Sequence, residues 1–177
     1  MKQETKDYIE LVAASVREKF NSPTPIYDIT TLINRMGGIV ETSTLEELTT
    51  KGKVKKQGNR FLIRYFDRFD SQKETNWNVA CTLGHIVLHL RWGTNPKHWY
   101  KFPDADLIIN ANDAQKEQAE LFAMELLLPA EHLEIMFDEV TGDSELLGFD
   151  VLDVLAEYFT VPTLRIFQRL TDLELIE

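Results

Sequence analysis

Apolar positions recur at helical spacing over most of this chain and change to strict alternation over one short stretch. From Thr5 to Phe20, the positions Tyr8, Leu11, Val12, Val16 and Phe20 predict an amphipathic helix that stops at the loop holding Pro23 and Pro25. Asp28 is placed to cap a second helix with Leu32, Ile33 and Met36 inward, ended by Gly37 and Gly38. Ile39-Val40 reads as a short strand, and Ser43 with Glu46 as the capping box of a helical turn. After Gly52 the pattern alternates: Phe61, Ile63 and Tyr65 point one way, Arg60, Leu62 and Arg64 the other, with Gly58-Asn59 as a hairpin turn. This predicts a small antiparallel sheet of three strands.

Residues 91–111 read as a loop rich in aromatics and proline. Asn112 or Asp113 then caps a strong helix with Ala119, Phe122, Ala123, Leu126 and Leu127 inward, re-aimed at Pro129. Leu133, Met136, Phe137 and Val140 mark the next helix, stopped near Gly142. Asp150 is placed to cap a helix carrying Val154, Leu155, Tyr158 and Phe159, and after Val161-Pro162 comes a last one with Leu164, Phe167, Arg169 and Leu170.

One stretch stands apart from the amphipathic pattern. Asn76 to Leu90 contains no Asp, Glu, Lys or Arg and is apolar nearly all round, which places it at the centre of the core, with Asp70 or Ser71 as its cap. Among its polar members are Cys81, Thr82, His85 and His89. Buried polar groups need partners, and a Cys and a His four residues apart share one helix face, the spacing of helical metal-binding pairs. Against that stand plainer roles: Cys81 as a small core residue, His85 as a hydrogen-bonded core histidine and His89 as a helix-end histidine. His98 and His132 have no visible partner in sequence.

Length and charge narrow the field further. With 177 residues, one domain spanning 1–177 is expected. No signal peptide, anchor or membrane span is visible, and the single cysteine fits a reducing cytoplasm. The formal net charge of −10 argues against direct nucleic-acid binding. It is unevenly spread: residues 1–101 hold 16 Lys and Arg against 11 Asp and Glu, and residues 102–177 hold 3 against 18. The basic excess peaks at Lys51, Lys53, Lys55, Lys56, Arg60, Arg64 and Arg68.

The order of elements and three local patterns resemble the ImmA/IrrE family of zinc metallopeptidases. They are Trp77-Asn78-Val79-Ala80-Cys81-Thr82-Leu83-Gly84-His85 with His89, then Ala119-Glu120-Leu121-Phe122-Ala123 with Leu126 to Pro129, and the closing Leu155 to Pro162 with Arg169-Leu170. The resemblance implies an α+β fold, mainly helical and zincin-like, in which the central helix packs the small sheet. It also implies a site in which two helix-borne His bind zinc, the Glu between them is the general base and a downstream acid completes the ligands. Position by position, the first His is Cys81, the Glu is Thr82, the second His survives as His85, and the downstream acid falls on Lys116. Glu117 lies off the face that Ala119, Phe122 and Ala123 define.

The expectation is therefore a catalytically degenerate member, a pseudo-metallopeptidase with no catalytic residue, metal ligand or cofactor. It would bind a regulatory protein or peptide partner such as a helix-turn-helix repressor. The alternative is a divergent active zinc endopeptidase that cleaves such a repressor, with Cys81, His85 and a rearranged Glu117 around the metal. A cysteine hydrolase using Cys81 and His85 has no visible oxyanion hole. Substrate strands add to a sheet edge in such folds, so the expected docking edge is Arg60, Phe61, Ile63 and Tyr65 with Lys53, Lys55 and Lys56. The final helix pair has helix-turn-helix length, yet only Arg165 and Arg169 are basic in it, so it is expected to close the core rather than read DNA.

Overall fold

Helix α1 (Gln3–Lys19) buries Ile9, Val12, Ala13 and Val16 and leaves Tyr8 and Leu11 exposed. The inward stripe is thus rotated from the expected one, because the small Ala13 belongs to it and the larger Leu11 does not. The computed structural model describes residues 1–67, 71–142 and 148–176, so Arg68 and Asp70, named above as a cation and a cap, lie outside the described residues.

Helix α2 (Ile29–Arg35) starts as expected at Asp28, whose side chain accepts the Thr30 N–H, and buries Ile29, Leu32 and Ile33. Strand β1 (Ile39–Thr42) leads to helix α3 (Leu45–Lys51), whose capping box is Thr44 with Glu47, one residue beyond the expected Ser43 and Glu46. Strands β2 (Val54–Gln57) and β3 (Arg60–Tyr65) form the hairpin, and Gly58 supplies the positive φ of 60° that its two-residue turn requires.

The sheet is four-stranded and mixed rather than three-stranded and antiparallel. Its order is β1-β3-β2-β4, where β4 is Asp106–Leu107, within the stretch expected to be loop. β1 runs parallel to β3 with Ile39 opposite Leu62, while β2 pairs antiparallel with both β3 and β4. Parallel pairing needs a long connection, which α3 and β2 supply, and a two-residue strand has no alternation to read.

This topology overturns the expected docking edge. β3 is hydrogen-bonded on both sides, so Arg60–Tyr65 is not an edge, and Phe61 and Ile63 are fully buried. Lys56 is only 3 % exposed, its ammonium paired with Asp104 and lying 5.5 Å and 5.6 Å from the Trp99 and Tyr100 ring centres. Arg64 is likewise buried, 2.7 Å from Asp106. Lys53 and Arg60 remain exposed, with Lys55 and Tyr65 half-buried. Among the described residues the free edges are β1 and β4.

After the hairpin come helix α4 (Gln72–Gly84), a π-helical turn over His85–His89, and the short helix α5 (Pro96–Trp99). The Trp92 and Trp99 indole N–H groups donate to the Asn59 and Gly58 carbonyls at 2.9 Å each, fastening the aromatic segment onto the hairpin turn. Helix α6 (Asp113–Leu127) begins at an Asn112–Gln115 capping box, buries the predicted Ala119, Phe122, Ala123, Leu126 and Leu127, and is packed by both α1 and α4. Helices α7 (Ala130–Thr141), α8 (Gly148–Phe159) and α9 (Thr163–Asp172) complete the chain. Asp150 sits in the first turn of α8 rather than capping it. Leu164 and Phe167 face outward from α9.

A single cluster of buried side chains runs from Ile9 to Leu170. Within it Asn76 is fully buried, accepting from Ile29 N–H and Gln72 Nε2 and donating to the carbonyls of Ile26, Tyr27 and Thr160. One amide thus ties α4 to the loop before α2 and to the turn after α8. Beneath α1, Arg169 pairs with Glu125 at 2.7 Å and Arg17 donates to the Glu125 and Leu126 carbonyls.

Candidate functional site

Ser71 caps the central helix by accepting the Glu74 N–H, and the helix then runs through the uncharged stretch into the core. Gly84 allows it to touch α6: a Cβ there would lie 2.9 Å from the Ala119 carbonyl oxygen and 3.0 Å from the Ala119 Cα. At His85 the backbone widens, and the Leu90 N–H reaches back five residues to the His85 carbonyl. Sequence periodicity at 3.6 residues does not reveal such a turn. Its effect is to align His85 and His89, whose Nδ1 atoms stand 2.9 Å apart, and the far nitrogen of His89 lies 3.0 Å from Gln118 Oε1.

The remaining motif positions are occupied otherwise. Thr82 is buried and its hydroxyl donates to the Asn78 carbonyl at 3.0 Å, one turn back on its own helix. Lys116 is exposed and pairs with Asp113 at 3.0 Å. Glu117, also exposed, faces the Met1 amino group at 3.7 Å. Cys81 is half-buried.

Electrostatics follow burial. Desolvation, reinforced by the nearby Glu120 carboxylate, pushes the Cys81 thiol up to about 12. His85 is pushed down to about 4 by burial, then by His89 and Lys53. Burial also lowers His89, although its bond to Gln118 works the other way. At neutral pH the site holds a thiol and two neutral imidazoles, and a thiol so strongly protonated is a poor nucleophile. Glu120 and Gln118, which shape these properties, carried no signal in the sequence because neither falls on a position the resemblance assigns a role.

Zinc needs three or more convergent N, O or S donors. Among the described residues no group of three or more His, Cys, Asp or Glu is placed to share a metal ion. With an ammonium at Lys116, a hydroxyl committed to backbone at Thr82 and Glu117 turned to the amino terminus, these residues do not fit the metal.

The final helix pair uses its cations internally. The Arg165 guanidinium stacks 4.1 Å from the Trp77 ring centre and Arg169 is buried against Glu125. His132, without a visible partner in sequence, bonds Tyr158 Oη at 3.0 Å, and His98 packs on the Phe102 ring. No helix of the described residues is long and apolar enough to cross a membrane.

A core helix carrying a Cys-Thr-Leu-Gly-His sequence, crossed closely by a second helix and flanked by a small mixed sheet, is compatible with a metallopeptidase-like domain. The family model of the IrrE N-terminal-like domain, Peptidase_M78, matches residues 40–171, and the chain belongs to that family. No curated protein matches it. Family membership points to an ImmA/IrrE-like, repressor-related function.

Proposed function

We propose that this chain is a catalytically degenerate ImmA/IrrE-like protein that acts by binding a regulatory protein, such as a helix-turn-helix repressor, without cleaving it. One observation carries this: where the family's general base belongs, Thr82 donates its hydroxyl to its own helix at 3.0 Å. A hydroxyl is no base near neutral pH, and general-base catalysis is typically worth ~10²–10⁴ in rate. Binding survives such a loss, because it needs only a surface.

The docking edge in this reading is β4 rather than the internal β3. Its outer side has no strand partner among the described residues, Ile108 beside it is 61 % exposed, and Lys53 stands next to it through Gly52, which abuts the Leu107 carbonyl. An extended partner segment adding there would pass beside Lys53, whose charge reaches His85 of the motif helix. The test is gel filtration with a repressor encoded beside this gene. A stable complex weakened at least tenfold by Ile108→Asp with Lys53→Glu is expected. A complex indifferent to these changes would contradict the docking edge, and no complex would contradict the binding function.

A further inference from the structure

The two histidines of the π turn have a hydrogen-bonding logic of their own. Gln118 Oε1 accepts only, so His89 Nε2 must carry a hydrogen and donate to it across 3.0 Å. His89 Nδ1 is then a bare acceptor in the neutral ring, and the short contact of 2.9 Å obliges His85 Nδ1 to be the donor. Each of the two contacts pairs one donor with one acceptor while both rings stay neutral, and only the outer nitrogen of His85 and the Gln118 amide nitrogen stand outside the chain. It links the end of the motif helix, through the widened turn, to α6, where Gly84 already brings the helices into contact.

The metal expected of the family has no such arrangement available here. Once its Nδ1 is engaged, His85 offers one remaining nitrogen, and a zinc site needs at least two more donors converging on the same point. Cys81 is the sole further thiol or imidazole of the motif, and the α6 position that should supply a carboxylate holds Lys116 on Asp113. We infer that His85, His89 and Gln118 form a metal-independent clasp: a hydrogen-bonded imidazole–imidazole–amide chain that locks the π turn onto α6, in a motif region that takes no zinc. The inference shares its residues with the binding function but is separable from it: stoichiometric zinc with an intact repressor would sink the clasp alone, whereas a cut repressor would sink the binding function.

Three readouts on the full chain test it. Elemental analysis of protein purified without chelator should find far less than one zinc per chain, and neither EDTA nor added zinc should move the melting temperature. Gln118→Met keeps side-chain length and similar helix propensity while removing the acceptor, and should lower the melting temperature by about 2–4 °C. Imidazole ¹⁵N spectra should show the hydrogen on Nδ1 of His85 and on Nε2 of His89. Near-stoichiometric zinc that disappears in His85→Ala would overturn the inference, as would a zinc- or EDTA-dependent melting temperature. A thermally silent Gln118→Met, or the opposite tautomers, would overturn it equally.

Discussion

The side chains that decide function here are small in number and are read by what they touch. Cys81 and Thr82 stand where the family has His and Glu, while His85 keeps its imidazole; the Thr82 hydroxyl and the His85 ring are each hydrogen-bonded within the motif helix, and the Cys81 thiol is held protonated by burial. His85 makes this measurable by pH. Its folded value of about 4 lies below the ordinary 6.5, so the unfolded chain takes up the proton first as pH falls. The neutral ring therefore costs nothing above pH 6.5, and stability is lost between about 6.5 and 4, by at most about 3 kcal/mol. His85→Gln should flatten that part of a stability-against-pH curve measured by urea unfolding; an unchanged slope would contradict the assignment. Asn76→Ala should be more damaging, about 3 kcal/mol or more, since it leaves three carbonyls in two separate segments without a donor and the Ile29 N–H without its acceptor.

Among the elements, the α4–α6 crossing sets the geometry of the whole motif, and Gly84 is its tightest point. A methyl group there meets Ala119 backbone rather than a flexible side chain, so Gly84→Ala should cost about 1–3 kcal/mol, seen as a lower urea midpoint with an unchanged slope. Both helices were legible in sequence, with the caps narrowed to Asp70 or Ser71 and to Asn112 or Asp113, of which the structure selects Ser71 and Asn112, and with the buried face of α6. The sheet was not. Alternation separated Leu62 and Arg64 from Phe61 and Ile63 without saying that both faces are covered, yet Leu62 and Arg64 are buried too, and Asp106 reaches Arg64. Periodicity reports which side chains differ from their neighbours; it does not report what covers the second face of a strand. The π turn was invisible for a related reason, since the apolar residues around it satisfy several helical periods at once. The candidate site was thus legible as a set of missing donors, but its hydrogen-bonded replacement was not, because Gln118 comes from another helix.

Over the whole molecule, the family match begins at residue 40, whereas the packing does not. Helix α1 lies along α6 through Ile9, Val12, Ala13 and Val16, and Arg17 satisfies two carbonyls near its end. Deleting residues 1–20 should therefore expose one side of α6 and abolish a cooperative thermal melt by circular dichroism; a truncated chain that melts cooperatively near the original temperature would contradict this. The basic excess of the first 101 residues is also smaller at the surface than the sequence suggests, because Lys56, Arg64 and Arg17 are spent on internal partners. In the proposed binding reading the partner meets the β4 edge, where Lys53 and Ile108 are exposed.

The central claim is binding without cleavage, and intact-mass spectrometry of the repressor tests it most directly. After prolonged incubation with the full chain in excess zinc, the repressor should keep its full mass while still eluting in complex. Discrete fragments that depend on zinc and vanish in His85→Ala would contradict the account and establish an active peptidase.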